Sequence, residues 1–197
     1  DPKILLLTLY YFGINGASLG MLLFLPQIVK QLGLSNMEVG WVSMIPYLFG
    51  AVAMLVWGWL SDRMAERRWN LFWAAIASTA GLIIAAQTVG TAWAVVGMSI
   101  AAIGFYGSKG PFWAMPSLIL TGTAAASGIA WINGIGNLGG FFGPTAVGWA
   151  KDYSGSFAGG LYALAGFAAV SAIVAALGLR IPNPASARPE MAGAPAE

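Results

Sequence analysis

The chain has 197 residues, of which 58% are hydrophobic and 8% charged, with 9 Lys plus Arg against 7 Asp plus Glu, a net charge of +2 and a mean hydropathy of +0.76. Soluble domains carry about 25% charged residues, so a soluble globule is excluded, and so is a nucleic-acid surface, which needs clustered bases. With no Cys and no His, thiol and imidazole nucleophiles, zinc sites built on those ligands and His-ligated haem are excluded too. No enzyme activity, catalytic residue, metal or cofactor is expected.

A spanning helix needs about 20 apolar residues at 1.5 Å rise each, and the uncharged runs predict six such spans in an all-α membrane protein. Residues 4–29, between Lys3 and Lys30, form the first, in which Tyr11, Asn15 and Ser18 share a face at i, i+4 and i+7. Residues 39–61 form the second, where Ser43, Tyr47 and Gly50 do the same. From Trp69 to Ser108 the run is too long for one crossing and is broken at Gln87-Thr88-Val89-Gly90-Thr91. Two spans result, 69–88 and 92–119, the latter carrying Lys109 inside it. After a dip at Thr121-Gly122-Thr123, where Thr123 is a candidate N-cap, the fifth span covers 124–149 and the sixth 157–179. Residues 181–197, with Pro182, Pro184, Pro189 and Pro195, read as a disordered tail. One bundle therefore occupies 1–180.

Six spans put both termini on one side. The ends and connections on that side hold Lys3, Arg63, Arg67, Arg68, Arg180 and Arg188, and the opposite side holds Lys30 and Lys151. The positive-inside rule makes the richer side cytoplasmic, in a bacterial inner membrane. Since the sequence opens on Asp1 with no charged leader before the first span, a longer protein with an N-terminal part missing here is expected.

Two short echoes suggest an internal repeat. Tyr11-Phe12-Gly13-Ile14-Asn15-Gly16 in the first span is matched by Phe105-Tyr106-Gly107-Ser108-Lys109-Gly110 in the fourth, and Gly58-Trp59-Leu60-Ser61-Asp62 by Gly148-Trp149-Ala150-Lys151-Asp152. Three helices would thus be followed by three related helices, in opposite membrane orientation. Inverted repeats with a site at their interface mark secondary transporters.

The segment Gly58-Trp59-Leu60-Ser61-Asp62-Arg63-Met64-Ala65-Glu66-Arg67-Arg68 resembles the loop signature of the major facilitator superfamily, departing from it at Ala65, where Gly is usual, and at Glu66, where a base is common. Glu66-Arg67-Arg68-Trp69, Lys109-Gly110-Pro111-Phe112-Trp113-Ala114-Met115-Pro116 and Ile132-Asn133-Gly134-Ile135-Gly136-Asn137-Leu138-Gly139-Gly140-Phe141-Phe142-Gly143-Pro144 are similar to the anion:cation symporter family, and closest within it to tartrate and aromatic-acid permeases. The resemblance implies the C-terminal six helices of a twelve-helix carrier. It would move a small organic anion with a coupling cation, H⁺ being expected, by alternating access. Its partners are then that anion, the coupling proton, the lipid bilayer and the N-terminal six-helix half.

Lys109 is the one ionisable residue deep inside a span, where a charge costs about 2.5 to 3.5 kcal/mol and calls for a partner. It either snorkels to the headgroups or meets a substrate carboxylate, with Trp113 one turn on to stack against an organic acid. Asn133 and Asn137, at i and i+4, offer amides suited to hydroxyl and carboxylate groups, or else hydrogen-bond another helix in a glycine-rich seam. Tyr11 and Asn15 complete the expected substrate set together with Tyr47, which a structural phenol would fit equally. Gly58, Asp62, Arg63, Arg67 and Arg68 are expected to form a conformational-switch loop, the alternative being plain topology-setting by charge. Trp41, Trp57, Trp69, Trp73 and Trp93 read as interfacial anchors. No Asp or Glu lies in any span, so a carboxylate proton carrier would belong to the other half. A non-transporting receptor or scaffold on the same fold, or a carrier for a non-anionic solute, stays open. An intramembrane enzyme is disfavoured, because Asp62 and Asp152 fall on opposite sides of the bilayer.

Overall fold

Nine helices follow one another among the described residues of the protein, a computed structural model that describes 2–64, 66–120 and 122–179. They are α1 (Pro2–Lys30), α2 (Asn36–Met64), α3 (Arg68–Gln87), α4 (Trp93–Gly107), α5 (Lys109–Ala114), α6 (Pro116–Ile119), α7 (Gly122–Asn137), α8 (Gly139–Ser154) and α9 (Phe157–Gly178). Helices α1, α2, α3 and α9 are each long and apolar enough to cross a membrane. Between α3 and α4 the chain turns at Gly90, whose φ of +84° suits a residue without a Cβ. The expected tail, with Arg180 and Arg188, lies outside the described residues.

Two stretches expected as continuous spans are broken. In 92–119 the helix stops at Ser108, where the Ser108 hydroxyl donates to Phe105 O at 2.8 Å and Pro111 has no N–H for Gly107 O. It stops again at Met115, because Pro116 cannot bond Phe112 O, which accepts from Met115 N at 3.0 Å instead. Lys109 therefore opens a short helix rather than sitting within a long one. In 124–149 the break falls at Leu138, whose N–H reaches back only three residues to Ile135 O. Gly134, Gly136, Gly139 and Gly140 surround it, and glycine weakens a helix by about 1 kcal/mol per residue. Gly122, at φ +58°, makes the turn into α7, which starts one residue before Thr123; the side chain of Thr123, the expected N-cap, lies outside what is described.

Packing follows from small residues. Helix α1 packs on α7, α8 and α9; α4 packs on α2 and α3; α3 packs on α9. At the α1–α8 crossing a Cβ on Gly16 would stand 3.0 Å from Gly139 O, and one on Gly143 would strike Gly16 O. Backbone therefore meets backbone. Between α2 and α4 the filling is aromatic instead: the Tyr106 ring covers Gly50, and Trp57 lies on Gly107. Trp57 is thus a packing residue and not the expected interfacial anchor, since Gly107 leaves a slot that its indole fills. Trp41, Trp69, Trp73 and Trp93 are exposed. Between the first halves of α2 and α4 an apolar groove of about 790 Å³ stays open, lined by Val42, Ile45 and Phe49 of α2 and by Val96, Ile100 and Ile103 of α4 among others.

Candidate functional site

Three elements bring the predicted polar residues together. Asn15, buried at the middle of α1, donates from Nδ2 to Asn137 Oδ1 on α7 at 2.7 Å, and Asn137 Nδ2 donates to Asn133 Oδ1 at 2.9 Å. The three amides form one chain. It ends on an exposed face of α7, where Asn133 and Asn137 are open. One turn from Asn15 along α1, Tyr11 lies against Gly136 of α7, which has no Cβ to block the ring.

Helix α5 supplies the opposite wall. Phe112 stacks on Tyr11 with ring centroids 5.1 Å apart, and Trp113 meets Tyr11 edge-on at 5.1 Å. Lys109 Nζ sits 5.0 Å from the Tyr11 centroid, over the ring face. Among the described residues it has neither a hydrogen-bond acceptor nor an acidic partner. A cation–π contact contributes roughly 0.5 to 2 kcal/mol, well below the cost of burying an ammonium. The Lys109 charge is therefore incompletely compensated, and its three N–H donors are free for an anion.

Tyr47 is not part of this group. It meets Tyr106 edge-on at 6.4 Å on the α2–α4 side, next to the Tyr106–Gly50 contact. Phe112 and Tyr10 line the candidate site and were not singled out in the sequence, whereas Gly136 was read there as part of a glycine-rich packing seam. Phe112 stacks on both Tyr10 and Tyr11, and the Tyr10 hydroxyl donates to Leu71 O at 3.1 Å. The four-residue spacing of Lys109 and Trp113 pointed to one helical face; Phe112, at i+3 from Lys109, borders the same face and is buried.

The loop residues form a second cluster at one end of the bundle. Arg67 pairs with Asp62 at 3.8 Å, Arg63 lies 4.2 Å over Trp59, and Arg68 donates to Ala175 O at 3.1 Å and to Ala176 O. Arg68 thereby joins the start of α3 to the last carbonyls of α9, which carry the negative end of that helix. Gly58 lies under Gly110, where an added Cβ on Gly110 would stand 3.4 Å from Gly58 Cα.

Apolar helices with exposed hydrophobic flanks and a lysine-bearing polar site define an integral membrane protein. The sequence matches the Major Facilitator Superfamily over residues 3–196, and the chain belongs to that superfamily. It is 45% identical over 174 residues to a protein of Agrobacterium vitis named "Putative tartrate transporter", covering 88% of this chain and 39% of that protein. It is 36% identical to the quinolone resistance transporter of Acinetobacter baumannii, over 83% of this chain and 38% of the relative. Against the inner membrane transport protein RhmT of Escherichia coli K12 the figure is 33%, over 85% and 39%. The chain spans about two fifths of the length of these curated relatives.

Proposed function

We propose that the chain is the C-terminal six-helix half of a secondary carrier that moves a small organic carboxylate, with H⁺ as the coupling ion, by alternating access. The observation that carries this is Lys109, a partly buried ammonium with free donors, beside an aromatic wall and a file of amides. The charge suits a carboxylate, the amides suit hydroxyl groups, and Trp113 and Tyr11 suit a flat or compact carbon frame. The name of the Agrobacterium relatives supports a hydroxy-diacid such as tartrate. Asn133 and Asn137 are exposed on the site's open side, where the other half would close it.

Packing supports the repeat: α1 meets α8 and α9 as α4 meets α2 and α3, the arrangement a twofold axis between triplets would give. Lys30 and Lys151 share one end of the bundle, whereas Arg67, Arg68 and the α9 carbonyls share the other, in keeping with both termini in the cytoplasm. The Asp62–Arg67 pair and the Arg68 bonds would hold one state of the cycle and loosen in the other.

Tartrate uptake into proteoliposomes holding the full-length protein tests the reading. An inward proton gradient should raise uptake, and tartrate should draw protons in; a receptor or scaffold would do neither. Asp62→Asn should slow transport several-fold while leaving equilibrium binding near the native value; equal loss of both in folded protein would remove the switch role. The name of the Acinetobacter relative and the aromatic wall together favour one second reading, a flat aromatic solute. Competition by a quinolone but not by tartrate would select it. For orientation, single Cys residues at Lys3 and Ser35 are labelled on whole cells with an impermeant reagent, and only Ser35 should react.

A further inference from the structure

The end of the bundle opposite the Arg68 cluster has two bases in its connections, and both converge on one depression. Lys30 closes α1 and Lys151 lies in the last turn of α8, far apart in sequence, yet with Gln27, Gln31, Asn36 and Phe157 they line a single pocket of about 490 Å³. A basic residue in a last turn is accounted for by the helix dipole. That does not account for two such residues leaning into the same pocket.

Their donors are only partly used. Lys30 Nζ donates to Leu34 O at 2.7 Å and to Asn36 Oδ1 at 2.8 Å, which leaves its third N–H. Lys151 Nζ has one long contact, 3.4 Å to Gln27 Oε1, and lies 4.6 Å over the Phe157 ring. Among the described residues no carboxylate lines the pocket. Glu38 is close enough to feel the Lys30 charge, but its Oε2 accepts from Ser35 N at 2.8 Å. Phe157 and Val39 give the pocket an apolar floor, and the Lys151 ammonium lies over the Phe157 ring.

We infer that this pocket is an oxyanion site at headgroup depth, in which Lys30 and Lys151 clasp a phosphate or carboxylate while the Gln27 and Gln31 amides bond its remaining oxygens. Two sources share that chemistry: the phosphate of an anionic lipid, and the carboxylate of a soluble acid on its way to the central site. The site stands on the geometry of this end alone and does not depend on the role of Lys109.

The test is amine footprinting of the full-length protein in nanodiscs, with labelling of Lys30 and Lys151 read by mass spectrometry and Lys3 as internal reference. Phosphatidylglycerol at one lipid in five, against pure phosphatidylcholine, should slow labelling of both lysines at least fivefold if a lipid is the ligand. Tartrate at millimolar concentration in pure phosphatidylcholine should do so if a soluble acid is. In Lys30→Gln the protection of Lys151 should fall at least threefold, and in Lys30→Arg it should persist. Unchanged labelling of both lysines in the native protein under both conditions overturns the inference, as does protection of one lysine without the other.

Discussion

The α1–α8 seam and the α2–α4 seam join corresponding helices of the proposed repeat, and they are built in opposite ways. In the first, Gly16 meets Gly139 and Gly143 with no side chain between, so dispersion acts over closely spaced backbone atoms and nothing can slide without a clash. In the second, rings of Tyr106 and Trp57 fill what glycines leave, an open apolar groove of about 790 Å³ remains, and among the described residues Ser43 Oγ, Trp57 Nε1 and Ser61 Oγ find no hydrogen-bond partner. A close-packed seam has one arrangement. A seam with free volume and unsatisfied donors has room for a second, and α5, which bears Lys109, packs on this slack side.

The largest effect should come from filling the tight seam. Gly143→Ala places a methyl against Gly16 O and is expected to cost about 3 kcal/mol, the upper range for overpacking, whereas Gly50→Ala meets only the partly buried Tyr106 side chain, which can shift, and should cost about 1 kcal/mol. Unfolding midpoints of the two purified variants check this, and equal losses would erase the contrast between the seams. Next comes the charge on the slack side. Lys109→Gln should weaken tartrate binding by about 1.5 to 3 kcal/mol, or roughly 10- to 150-fold in Kd, with Lys109→Arg restoring only part. A snorkelling lysine gives another result: Arg serves as well as Lys, and Gln lowers insertion rather than affinity.

A smaller effect is expected where α1 is fastened to α7 by polar bonds. Asn137→Ala removes both links of the Asn15–Asn137–Asn133 chain and should cost about 0.6 to 1.7 kcal/mol of stability, the range for hydrogen bonds between membrane helices. Thermal unfolding reads it, and Asn133→Ala, which breaks one link, should cost less.

The smallest effect concerns the start of α2. Ser35 and Glu38 form a reciprocal cap, and the hydrogen bonds from the Ser35 hydroxyl and N–H hold the Glu38 carboxyl below its ordinary range. A depressed carboxyl contributes stability that is complete above its unfolded pKa, about 4.3, and is lost as pH falls through the lower folded value. The gap in unfolding midpoint between the native protein and Glu38→Gln should therefore be present at pH 7 and shrink by pH 3. A gap independent of pH would mean that the charge of Glu38 plays no part.

How much of this was legible can be judged residue by residue. The four long helices follow uncharged runs because charge is excluded from the hydrocarbon, a constraint that acts on composition alone. The meeting of Asn15 with Asn137 was only half legible: each was placed on a polar face of its own helix, but no spacing rule says which faces turn toward each other. Ser108 and Pro111 signal a loosened ladder in the fourth span, but the breaks at Met115 and Leu138 escaped because hydropathy does not register a missing N–H or a glycine-rich turn, although Pro116 and the glycines carried that signal. Tyr47 went to the other seam for the same reason: helical periodicity gives a face without giving its neighbour.

The bonds from Arg68 to Ala175 O and Ala176 O bear on how the protein is made. Synthesis runs from the N-terminus, and the guanidinium leaves the ribosome more than a hundred residues before the carbonyls that receive it. Helix α3 must wait in the bilayer with its α9 face uncovered, and α1 likewise waits for α7, α8 and α9. The cover over α1 and α3 is therefore complete only once α9 has been made, so a ribosome stalled before residue 175 leaves both helices inserted but unclosed, and open to membrane quality control.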